Sequence, residues 1–151
     1  MTEKNKIITH YENSLMFIKN LEKVSVYEWS TPIKAGKWSV AEIVGHFITW
    51  DQFVLTERIP YFFKNNTQLK RPDVEKMNEQ SSRKSRAMSK EKIISDFLRT
   101  RKDLLKEVQL IGNEYWDKEI RIGGTLLFLS DYFNGLIHHE NHHFRQIREW
   151  L

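Results

Sequence analysis

Apolar residues recur at helical spacing along most of the chain. Ile8, Tyr11, Leu15, Ile18 and Leu21 follow one another at three and four residues, which predicts a helix from about Glu3 to Val24. Ile43, Val44, Phe47, Trp50, Val54 and Arg58 mark the face of a second helix, which ends before Pro60. Its start is written in Ser39-Val40-Ala41-Glu42, the pattern of a capping box, where the serine oxygen accepts from an orphan N–H and the glutamate reaches back. Asp73 marks the cap of a third helix through about Arg86, with only Val74 and Met77 to form a face. Ser89 caps a fourth, whose stripe Ile94, Phe97, Leu98, Leu104, Leu105, Val108 and Ile111 stops at Gly112. A last helix begins near Leu129–Asp131 and runs to the end of the chain. The connection Ser25–Lys37 carries Trp29, Pro32 and Gly36 and is aromatic enough to pack along the helices. Tyr61–Pro72 passes from aromatic to polar, and Asn113–Thr125 reads as irregular with a turn at Gly123-Gly124. Four long amphipathic helices and a weaker one, in a single domain over residues 1–151, make an all-α bundle the expected architecture.

Composition narrows the class. With 151 residues, 40% hydrophobic and 29% charged, the chain can build a core and is not disordered. A net charge of +4 is too weak to name nucleic acid as a partner. The basic run Arg83–Lys92 lacks interleaved aromatics and contains Glu91, so it reads as a solvated helix junction. The longest stretch without Asp, Glu, Lys or Arg, Ile122–Ser130, has nine residues, against the ~20 that a membrane helix needs. No apolar run that would serve as a signal peptide follows Met1. A cytoplasmic protein acting on a small molecule, not on a membrane, is expected. Cysteine is absent, which excludes disulfides, a thiolate nucleophile and any cysteine-based zinc site.

Histidine carries the remaining signal. Four of the six histidines lie in His138-His139-Glu140-Asn141-His142-His143. His138/His142 and His139/His143 both have the i, i+4 spacing that lets two rings reach one metal ion from adjacent turns. At about 100° per residue, His139 and His143 fall among Tyr132, Leu136, Ile147 and Trp150. They are therefore expected to face the core, and the other two to be more exposed. The string also matches H-E-x-x-H, but only eight residues follow His143, too few for the third ligand of a common zinc peptidase. A third ligand must come from upstream. His46, at the edge of the second helix's apolar face, is the best candidate; Gly45 beside it would let another helix approach. His10 lies off the Ile8/Tyr11/Leu15 stripe and is set aside.

The lead-in Trp29…Pro32…Lys34-Ala35-Gly36-Lys37-Trp38-Ser39, followed by Glu42 and His46, resembles the first half of the DinB/YfiT-like superfamily of metalloenzymes. Asn78-Glu79-Gln80, Arg101 and His139-Glu140-x-x-His143-x-x-Gln146 resemble its second half, in the expected order over nearly the whole chain. The resemblance implies an up-down-down-up four-helix bundle and a divalent metal on His46, His139 and His143, with zinc or nickel the leading choices. It also implies a reaction of the kinds known among relatives: thiol S-transfer with a small-molecule thiol as cofactor, or hydrolysis. A bundle that the metal merely clamps is the non-catalytic alternative.

Two charges interrupt apolar stripes: Arg101 on the fourth helix and Glu140 between Leu136 and Ile147. They either pair, with each other or with Asp51 or Arg58, or act at the site, Glu140 as a proton acceptor and Arg101 as an anion anchor. Gln146 and Glu42, each one turn from a ligand, are candidates to support it from behind, and Trp50, Trp150 and Phe144 to line its cavity. Tyr61-Phe62-Phe63 is apolar enough to predict a homodimer, and relatives are often dimers.

Overall fold

In a computed structural model the chain forms helices α1 (Glu3–Lys19), α2 (Val26–Ser30), α3 (Val40–Glu57), α4 (Val74–Arg86), α5 (Lys90–Leu110) and α6 (Leu129–Trp150). A hairpin of β1 (Glu119–Ile122) and β2 (Thr125–Phe128) precedes α6. The structure describes residues 1–64 and 68–151; residues 65–67 of the expected 61–72 connection lie outside the described residues. No described helix is long and apolar enough to cross a membrane.

The caps anticipated from sequence form. Ser39 Oγ accepts from the Glu42 N–H at 3.2 Å while Glu42 Oε1 accepts from the Ser39 N–H at 3.2 Å. Asp73 and Ser89 accept from Lys76 and Lys92 N–H groups in the same way. Two segments expected to be connections, Ser25–Lys37 and the irregular Asn113–Thr125, are partly regular. Ser25 and Glu28 form a second capping box that starts α2, which buries Trp29. The 113–125 segment supplies β1, whose residues Glu119–Ile122 pair antiparallel with Thr125–Phe128 of β2 around Gly123, held at φ +58°. The hairpin region also starts α6. That helix has no side-chain N-cap among the described residues, and the Leu129 and Ser130 N–H groups bond instead to the Lys118 and Trp116 carbonyls.

The chain directions follow from which residues meet. Going down α3, Ile43 and Phe47, then Asp51, then Val54 lie beside Ile94 and Phe97, Arg101 and Leu104 of α5, so these two helices are parallel. Ile18, Ser14 and Ile7 of α1, and Ile147, Glu140 and Phe133 of α6, meet the same levels in reverse order. The bundle of α1, α3, α5 and α6 is therefore up-down-down-up. Helix α4 returns along α3, its Asn78 bonded to Trp50 and its Ser82 to Glu42, and so lets α5 run parallel to α3. Gly45 permits that return: a Cβ there would sit 1.7 Å from Ser85 Oγ and 2.9 Å from its Cβ.

The buried stripe of α1 is Ile7, Tyr11, Ser14 and Ile18, one step round from the expected Ile8, Tyr11, Leu15 and Ile18. The rotation brings Ser14 to a buried charge on α5 and moves His10 to the bundle seam. Of the aromatic run after Pro60, Phe62 is buried against Tyr132 and Phe133, whereas Tyr61 and Phe63 keep 37% and 41% of their surface exposed. A second copy covering that remainder would give a dimer mass by light scattering at tens of micromolar; a monomer mass would show that the bundle covers enough of it alone.

Candidate metal centre

Helix α3 supplies His46 and helix α6 supplies His139 and His143. One ligand atom from each lies within 4.8 Å of the other two, and no other such group of three metal-ligating side chains occurs among the described residues. The ring centroids are 4.7 Å apart for His139–His143, 5.3 Å for His46–His143 and 5.7 Å for His46–His139. The i, i+4 spacing puts His139 Nε2 and His143 Nε2 3.2 Å apart. An ion bound at about 2.0–2.1 Å would hold two tetrahedral nitrogens about 3.3 Å apart, so this pair is already at ligand spacing.

The surroundings prepare the rings for that use. Gln146 Oε1 lies 2.9 Å from His143 Nδ1 and accepts its hydrogen, which leaves the Nε2 lone pair facing His139. His46 is held by packing between Trp38, at 4.9 Å between centroids, and Trp50, at 6.2 Å, and its Nδ1 is buried without a partner among the described residues. Burial, followed by the neighbouring His143 and His139, lowers the His46 pKa to about 3. Burial also lowers His139 and His143, in which Gln146 works the other way. All three are biased towards the neutral form that a metal requires.

His139 departs from the expected position. It is exposed, while His143 is buried, because the cluster lies at the open edge of the α3–α6 seam and only its inner side faces the core. His138 and His142 are both exposed, as expected, and both lie outside the three-residue group. Trp50 lines a cavity beside the cluster; Phe144 and Trp150 pack in the core behind it instead. Glu42 does not back His46: it closes the α3 cap and accepts from Ser82 and Arg86 of α4.

Arg101 and Glu140 meet at the centre of the bundle. Arg101 is fully buried; its Nε and Nη2 donate to Asp51 at 2.7 and 3.0 Å, and its Nη1 and Nη2 donate to Glu140 at 2.6 and 2.8 Å. A fifth bond runs from Nη1 to Ser14 Oγ at 2.9 Å. All five guanidinium hydrogens are thereby engaged, and none is left to anchor an anionic ligand. The Tyr11 and Phe97 rings flank the charge at 5.0 and 4.7 Å. Burial opposes ionisation of Glu140, but the Arg101 charge and hydrogen bonds from His10 and Arg101 outweigh it and hold this carboxyl below its usual range. His10, set aside from sequence, is the missed member: its Nε2 lies 2.9 Å from Glu140 Oε1. A three-residue step on from Ile7, beside Tyr11, was its only sequence signal.

An up-down-down-up bundle with three histidines gathered on one seam defines a class of helical bundles with a candidate metal site. The DinB superfamily model matches residues 9–147, and the chain belongs to that superfamily. Among solved structures it is similar to YfiT from Bacillus subtilis, described as a probable metal-dependent hydrolase with an unusual four-helix bundle topology. The identity is 17% and the TM-score 0.78, over 97% of this chain and 85% of that one. No curated protein matches the chain.

Proposed function

We propose that the protein is a metal-dependent enzyme whose His46, His139 and His143 hold one divalent ion, with zinc or nickel suited to three imidazoles. The observation that carries this reading is the 3.2 Å approach of His139 Nε2 to His143 Nε2, with Gln146 fixing the His143 tautomer. Such an ion, when bound, supplies Lewis acidity and an open position that acidifies a small nucleophile. The chain's own residues do the rest. Gln146 orients His143, the Trp38 and Trp50 rings confine His46, and the Arg101 ion pairs set α6 at its height against α3. Glu140 and Arg101 serve to position the helix, not to react.

The likeness to YfiT supports hydrolysis as the first reaction to test, with thiol transfer as the second. Because the chain has no cysteine, any thiol must be supplied with the substrate. Metal content of untagged protein comes first. Turnover of 4-nitrophenyl acetate, and of 1-chloro-2,4-dinitrobenzene with added cysteine, is then compared with and without zinc or nickel. Metal-dependent turnover of the ester identifies a hydrolase, and turnover only with thiol identifies a transferase. Metal that raises the Tm without either turnover identifies a clamp and overturns the enzyme reading.

The ligand pKa values set a pH dependence. Each histidine is lowered on folding, so each stays neutral below its ordinary range and binds metal there. Metal is expected to remain bound at about pH 6 and to be released as the pH falls towards about 3, where His46 takes up a proton. Release already complete above neutrality would contradict the buried, neutral cluster, and undiminished binding well below about pH 3 would contradict an all-histidine site.

A further inference from the structure

Gly135 lies in the middle of α6, four residues before His139, where glycine is the poorest helix former after proline. The backbone does not require it, since the glycines at positive φ are Gly36 and Gly123. Packing does not require it either, because a Cβ at this position meets nothing within 4 Å among the described residues. What the glycine leaves is space, and that space belongs to a chamber of about 260 Å³ that reaches His46 and His139. Its apolar wall comes from Phe47, Trp50, Val54, Val74, Leu104 and Leu136. The chamber is a cleft, with Gly135 and His139 exposed at its edge, and is larger than the closed apolar cavity of about 150 Å³ that takes benzene.

The polar part of the wall limits the ligand's charge. Among the described residues no lysine or arginine lines the chamber, whereas Asp51 and Glu140 do. Their shared guanidinium has no hydrogen left to donate, so in the metal-free protein a buried carboxylate ligand would find no cationic side chain. Asn78 offers the complementary group: its Oδ1 accepts from Trp50 Nε1 at 3.0 Å, leaving the NH2 as a donor. We propose that this chamber binds an uncharged, largely apolar group of about one substituted aromatic ring and presents it to the three histidines, with Gly135 keeping the chamber open beside His139. The presentation step rests on the metal centre proposed above; the binding step does not.

The test is a 19F NMR titration of the full chain, metal-stripped and zinc-loaded, with 4-fluorobenzyl alcohol and with 4-fluorobenzoate. Metal-stripped protein should bind the alcohol saturably and one to one, and the benzoate at least about tenfold more weakly. Gly135→Ala, which adds one methyl group to the wall, should raise the Tm and weaken alcohol binding, though less than the larger residues do. Gly135→Phe, and independently Leu136→Trp, should weaken alcohol binding at least about tenfold by filling the chamber. Proton contacts from the bound ring to the Val54 and Leu104 methyls locate the ligand without any variant. No saturable binding, equal binding of the benzoate by metal-stripped protein, or contacts elsewhere would overturn the chamber. Protein that binds zinc but not the alcohol loses the chamber and keeps the metal centre; protein that binds the alcohol but not zinc does the reverse.

Discussion

His139→Ala and His143→Ala are each expected to weaken zinc binding by more than about 100-fold, beyond what loss of a supporting residue alone costs. These two nitrogens are the pair at 3.2 Å, and removing either leaves two ligands from different helices. His46→Ala should weaken binding strongly, because it removes the one ligand that α3 contributes. His138→Ala should change little, and His142→Ala less than either ligand, since both lie outside the cluster. Gln146→Leu should cost about 10–100-fold through the His143 tautomer. Titration of zinc into untagged protein, competed by a chromophoric chelator, reads all six variants. Retention of tight binding by His139→Ala together with its loss in His138→Ala would place the site on the opposite face of α6.

Arg101→Met should lower the stability of the fold by about 3–5 kcal/mol, with a fall in Tm of roughly 10 °C. The guanidinium is fully buried between Asp51 and Glu140, so its removal strands two carboxylates whose side chains keep only 8% and 10% of their exposure. Neutralising the stranded partners in the triple variant Arg101→Met/Asp51→Asn/Glu140→Gln should recover part of that loss, since the penalty lies in uncompensated charge more than in lost contacts. Zinc affinity should fall in the single variant as well. Arg101 joins α3 through Asp51 to α6 through Glu140, and those two helices carry the three histidines. Urea denaturation monitored by circular dichroism measures the first effect; a loss below about 1 kcal/mol would show that the network is solvated in practice.

Helix positions were legible because capping and periodicity are local. Ser39, Asp73 and Ser89 mark their helices by bonds to N–H groups three residues on, and that geometry needs no tertiary partner. Likewise, the spacing of His139 and His143 makes them neighbours on any α-helix. Short elements escaped the same reading. Helix α2, at five residues, is too brief to show a period, and the β1–β2 hairpin has exposed apolar residues, Leu126 and Phe128, that give no clean alternation.

By itself, then, the sequence determined the long helices, the caps of α3, α4 and α5 and the two α6 histidines able to share an ion, since all of these depend on residues within one or two turns. Tertiary structure alone decided the rest. The rotation of α1 that buries Ser14 and draws His10 to Glu140 is set by a charge 87 residues away on α5. Arg101 lay on an apolar stripe with several possible partners, and only the parallel packing of α3 and α5 selected Asp51. His139 proved exposed because the periodicity of a helix says which residues share a face, not how far that face extends past the helices packed against it.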